Sequence, residues 1–247
     1  MKIAITGEGP TDYGKEDFDT RRREKVLIRG ASEGFVERLT DEGTDIEWHW
    51  IDRKAVEKYQ FQGRRLNELN LDELEGKGIQ AARFISKLMT ESFLENYDLA
   101  IYYCDSDRDA RTKNSSMRAA VNRFEKVYAQ VEKGLETGKD VITAIPMIPI
   151  RIVENWILAD SKNLTKVFHL KAKVEDFKNV ELLWGDQDNP ESDYPKCVLE
   201  RIRGQADERY RTASPYEIAL SADPEVIRKK CPHSFGRFYD DLISAIR

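Results

Sequence analysis

A chain of 247 residues that is 40% hydrophobic can fill one large α/β core, and none of its apolar runs approaches the ~20 residues needed to span a bilayer. Three cysteines without a C-x-x-C pair argue against a disulfide framework and a zinc ribbon, and the short apolar start does not read as a signal peptide, so a reducing cytoplasm is the expected setting. The net charge of −5 leaves nucleic acid open as a partner, because basic residues cluster at Arg21-Arg22-Arg23, Arg64-Arg65 and Arg201 to Arg211, away from the acids of 41–47, 72–75 and 186–193.

In chain order, Ile3-Ala4-Ile5-Thr6 is a short apolar run ending in Gly7-Glu8-Gly9-Pro10, which predicts a core strand and a sharp turn. The charged stretch 10–31 reads as a long loop able to fold over the end of that strand. Ser32 is the expected cap of a helix carrying Phe35, Val36 and Leu39 on one face, stopped by Glu42-Gly43. Alternation from Ile46 to Ile51 predicts a second strand, and the glycine-punctuated, charged residues 52–78 an insertion. Ile79, Ala82, Ile85, Leu88 and Met89 follow helical spacing, and Asp98 to Cys104 is a continuous apolar strand of the kind buried on both faces. Beyond Asp105-Ser106-Asp107-Arg108-Asp109, an apolar stripe from Met117 to Leu135 predicts a long helix ended by Gly138, and Val141 to Ile145 a fourth strand.

Alternating strands and helices of this kind predict an α/β, Rossmann-like fold: a mostly parallel sheet with helices on both faces over residues 1–150. Residues 151–247 are expected to form a mostly helical extension packed on that sheet, with 184–195 as a loop and 196–203 and 223–247 helical.

The acids stand where such a sheet binds ligands, outside the carboxyl ends of its strands. Glu8 follows the first strand, and Asp105 and Asp107 follow the third. Residues two apart in extended chain point the same way, so Asp105 and Asp107 can face one ion while Ser106 faces away. Hard oxygen donors of this sort suit Mg2+ or Mn2+. Gly7 and Gly9 would clear room for a phosphate backbone. An Asp-x-Asp is also ordinary turn chemistry, its carboxylates bonding the backbone amides that follow; the combination with Glu8 in the right strands is what favours a metal.

Gly7-Glu8-Gly9-Pro10-Thr11-Asp12, followed by Asp105-Ser106-Asp107-Arg108-Asp109, resembles the Toprim domain, whose signature is a glutamate after the first strand and Asp-x-Asp after the third. The resemblance covers residues 1–150 and is nearest to the stand-alone nucleases of the overcoming-lysogenization-defect class found in phage-defence and mobile-element loci, which also carry a segment like Glu154-Asn155-Trp156-Ile157-Leu158-Ala159-Asp160. It implies a catalytic set of Glu8, Asp105 and Asp107, with Asp12 and Glu154 helping to hold a second Mg2+ or Mn2+. Glu154 has the alternative of an acid favoured at a helix N-terminus, and Asp109 that of a partner for Arg108 or Arg111 rather than an additional ligand. Arg21, Arg22 and Arg23 are candidates for contacting phosphates, against a solvated charged face as the alternative. Trp156 reads as core, and Cys231 and His233 lack a recognisable base arrangement.

The implied function is metal-dependent hydrolysis of phosphodiesters in DNA or RNA, transfer RNA included, as the effector of an anti-phage or abortive-infection system. A partner ATPase encoded nearby fits the absence of a Walker motif in this chain, and no membrane is implied. The rival reading is a non-catalytic Toprim module that binds nucleic acid or that ATPase.

Overall fold

The computed structural model describes residues 1–7, 14–19, 24–60, 73–91, 96–106 and 117–247; for 15–19, 24–26, Glu91 and Met117 it describes the backbone alone. Four parallel strands form the main sheet: β1 (Lys2–Thr6), β4 (Glu47–Trp50), β5 (Leu99–Tyr103) and β6 (Ala144–Met147), in the order β4-β1-β5-β6. Ile5 pairs with Trp50 on one side and Ile101 on the other, and Ile101 with Ile145. The remaining strands, β2 (Lys15–Asp19) and β3 (Glu24–Ile28), make a separate antiparallel hairpin.

Strand periodicity sorts the core into two layers. Ile3, Ile5, Leu99, Ile101, Tyr103 and Met147 face α1 (Ala31–Leu39) and the C-terminal helices. Ala4, Ala100, Tyr102 and Cys104 face α3 (Lys77–Glu91) and α4 (Met117–Leu135). The sheet is therefore covered by helices on both faces, the architecture expected of an all-apolar, buried parallel sheet. The stretch 52–78 read as an insertion opens with a short helix, α2 (Arg53–Lys58), capped by Asp52; its residues 61–72 lie outside the described residues.

After β6 the chain continues as α5 (Glu154–Ala159), α6 (Ser161–Val167), α7 (Pro195–Gly204), α8 (Pro215–Ser221), α9 (Pro224–Lys230) and α10 (Phe235–Ile246). Their apolar residues belong to the same cluster as Ile3, Ile5 and Phe35. Trp156 is its centre: fully buried, edge-on to Phe35 and Phe235, stacked on Phe238, with its indole N–H donating to Ser234 Oγ at 2.8 Å. It is core, as read from the sequence.

Three local expectations change. Ser32 is buried inside α1, whose N-cap is Gly30 with no side-chain bond, so the helix starts two residues earlier than expected. Part of the stretch read as a loop is that hairpin. The last strand starts at Ala144, not Val141; it is an edge strand, which is why it tolerates Pro146 in its middle.

Candidate active site at the carboxyl edge of the sheet

β5 ends at Tyr103, and the next residues are held against the segment that follows β6. Cys104 N–H donates to Met147 O (3.3 Å), Ser106 N–H to Pro149 O (3.1 Å) and Ser106 Oγ to Ile150 O (2.7 Å). Asp105 is thus fixed between two anchored residues. It is 4% exposed, and its Oδ1 accepts a 2.7 Å bond from the Tyr103 hydroxyl, two residues back and on the same side of the extended chain. Ser106 turns toward Ile150 instead.

The end of β1 is pressed onto the same place. A Cβ on Gly7 would stand 2.7 Å from Tyr103 Cδ1 and 2.9 Å from its carbonyl oxygen. The missing side chain at Gly7 is thus required by the close approach of Tyr103. Glu8, the next residue, lies outside the described residues, as do Gly9, Asp12, Asp107, Asp109 and Arg21, Arg22 and Arg23.

Glu154 opens α5, just beyond the neighbouring strand β6, with 8% of its surface exposed. Its Oε1 is 3.4 Å from Lys196 Nζ. Lys196 lies in the first turn of α7, and Tyr194 is the residue before that helix, followed by Pro195 at its first position. Burial raises the Tyr194 hydroxyl above its ordinary pKa; Lys196 opposes this, and the negative charges of Glu154 and Asp105 add to it. The Tyr194 hydroxyl thus lies within electrostatic reach of both acids. Trp184 stands edge-on to Tyr194 at 5.0 Å, and the guanidinium of Arg151, 2% exposed, lies 5.3 Å from the Trp184 ring.

Arg151, Trp184, Tyr194 and Lys196 are additions to the sequence reading. Arg151 alone had a local signal, its place just past a strand's carboxyl end. The other three are carried in from the C-terminal extension by the 184–196 loop, which closes so tightly that a Cβ on Gly185 would fall 2.5 Å from Tyr194 N.

A second group of acids, one buried and one half-buried, lies beside β4. Glu33, fully buried in the first turn of α1, accepts from Arg29 Nε (2.9 Å) and from the Trp50 indole. Gly14 packs on that pair at φ +82°, a left-handed conformation that favours glycine. Glu37, one turn on, accepts from Trp48 Nε1 (2.8 Å), Tyr216 OH (2.7 Å) and Arg29. Burial raises Glu33 despite its bonds, whereas Glu37's bonds outweigh its burial and hold it low.

Cys231 is fully buried, and burial with the nearby Glu181 charge pushes its thiol well up, so the Cys231–His233 segment offers no nucleophile. Among the described residues, no three His, Cys, Asp or Glu side chains form a metal-holding group; of the ligand candidates read from the sequence, Asp105 and Glu154 are the two that lie among the described residues.

No curated protein and no solved structure matches the chain. Residues 33–243 match a family described as a domain of unknown function, DUF4276, a span that includes Asp105, Glu154 and Lys196 and begins after Glu8 and Asp12. The chain belongs to the DUF4276 family.

Proposed function

We propose that this chain is a divalent-metal-dependent phosphodiesterase that cleaves nucleic acid, DNA or RNA, with the site built around Asp105 in the manner of the Toprim nucleases its motifs resemble. The observation that carries this reading is the placement of two buried carboxylates, Asp105 and Glu154, past the carboxyl ends of the adjacent parallel strands β5 and β6. The donor set fits the metal: two buried carboxylates are hard oxygen ligands of the kind Mg2+ and Mn2+ take. Asp105, Asp107 and Glu8 would hold one ion, and Asp12 and Glu154 would complete a second site. Two bound ions would supply an activated water and stabilisation of the leaving oxygen.

The chain's own residues have separate tasks. Tyr103 orients Asp105 through its hydroxyl bond. Lys196 puts positive charge beside Glu154, where a scissile phosphate needs it, and Arg151 adds a buried guanidinium against Trp184. Glu8 is the candidate for moving the proton. Control by an ATPase partner, a role in phage defence and a cytoplasmic setting go with this reading.

The test is cleavage of labelled single- and double-stranded DNA and RNA by the purified chain with Mn2+ or Mg2+, alongside calorimetric titration with Mn2+. Cleavage that EDTA stops and Asp105→Asn abolishes supports the enzyme. Metal binding or nucleic-acid binding without any cleavage would instead favour the non-catalytic module.

A further inference from the structure

Away from the acids, the C-terminal extension contains two cavities that meet at one ion pair. The larger, about 810 Å³, is lined by Lys178, Lys229, His233 and Phe177 and reaches Val121 of α4. The smaller, about 580 Å³, is lined by Lys162 and Lys173. Asp176 and Lys230, paired with each other, line both.

The charges of this groove are not balanced. Its acids are engaged within the fold: Asp160 accepts from the N–H groups of Asn163 and Asp223, Asp176 is paired with Lys230, and Glu181 accepts from Ser234 N and Oγ at 2.6 Å each. Lys162, Lys173, Lys178 and Lys229 are exposed, and among the described residues none has a carboxylate within ion-pair distance. Four free ammonium groups along a furrow, with the half-buried Phe177 ring in its wall, make a surface that tracks phosphates and offers a stacking face.

The groove is also tied through its wall to the helix that carries Glu154. Its wall at 180–182 is bonded to the residue after Glu154: Asn155 Nδ2 donates to Val180 O (2.7 Å) and Leu183 O (3.0 Å), and Trp184 comes next.

We propose that this groove binds the backbone of single-stranded nucleic acid and leads it to or from the acidic site. The proposal rests on the reading that nucleic acid is the substrate. Lysines set the affinity through phosphate contacts, and Phe177 stacks on a base.

The experiment is fluorescence anisotropy of a labelled oligothymidylate of about ten nucleotides, in EDTA, with Asp105→Asn as the parent chain so that nothing is cut. Reversing two exposed charges, Lys178→Glu with Lys229→Glu, is expected to weaken binding at least about tenfold and to flatten the slope of log K against log salt by about 1.4, roughly 0.7 per lost contact. The melting temperature should not move. Phe177→Ala is expected to weaken binding about fivefold with the salt slope unchanged. Unchanged affinity in the double variant overturns the proposal. So does poly-glutamate competing with the oligonucleotide charge for charge, which would mark a groove for an acidic protein segment. A chain that binds through the groove yet never cleaves sinks the enzyme and leaves the groove standing. A chain that cleaves while the double variant binds normally does the reverse.

Discussion

Glu33 with the half-buried Glu37, and Asp105 with Glu154, are two pairs of acids in one sheet protein, and their surroundings differ in kind. The first pair, on α1, is enclosed by the donors of its own fold: an arginine from the residue after β3, two indoles from β4 and a phenol from α8. Those donors tie three elements together, and there is a left-handed glycine packed over them. The second pair stands at strand ends, beside a tyrosine that senses both charges and a lysine on a half-exposed stem. A perturbed, buried carboxylate is thus not by itself a mark of function. What separates the pairs is whether the neighbours are rigid parts of the core or residues brought in by a loop.

The comparison breaks most decisively on activity. Asp105→Asn is expected to cut nuclease turnover by at least about a hundredfold while the melting temperature stays put; loss of fold without loss of turnover in the residual folded protein would erase the distinction. Arg29→Ala should do the opposite. It leaves Glu33 buried without its cation, so chemical denaturation should read a loss of about 3 kcal/mol, with cleavage per folded molecule unchanged. Tyr103→Phe removes one bond to Asp105 and keeps the ring against Gly7; turnover should fall about tenfold, through an acid held less firmly, with little change in stability.

The smallest effect lies in pH. Glu37 is held below its ordinary 4.5, so the stability its bonds supply is complete above that value and is lost as pH falls through the lower, folded one. Glu33 is raised, so its charged form is penalised at neutral pH and relief comes as the medium turns acid. The two slopes oppose each other. Urea melts between pH 5 and pH 3 should therefore show a shallow decline, and Glu37→Gln should remove the declining part.

Much of the sheet was legible because its strands are buried on both faces: Ile3 to Thr6 and Leu99 to Tyr103 are uninterrupted apolar runs, and the long helix shows its stripe from Ala120 to Leu135. The hairpin was not, because Lys15-Glu16-Asp17-Phe18-Asp19 pairs through its backbone and carries almost no apolar alternation. Pro146 disguised β6, since a proline is tolerated only because that strand is an edge. For the site, Asp105 could be found from its position after a strand. Tyr194 and Lys196 could not, because nothing local in a polar loop tells that the fold returns it to the sheet some ninety residues later.

The shared core has a practical consequence for how this protein can be cut. Trp156, Phe235 and Phe238 pack in one cluster with Ile3, Ile5 and Phe35, so the chain up to residue 150 owns only part of the core it needs. Expressed alone, that fragment would present one face of its sheet to water and aggregate. A nick within the largely exposed 186–193 loop is another matter, since both pieces keep their anchors in the cluster. The two halves, 1–185 and 194–247, should then find each other when co-expressed and travel as a single particle, a split protein whose reassembly reports on the core itself.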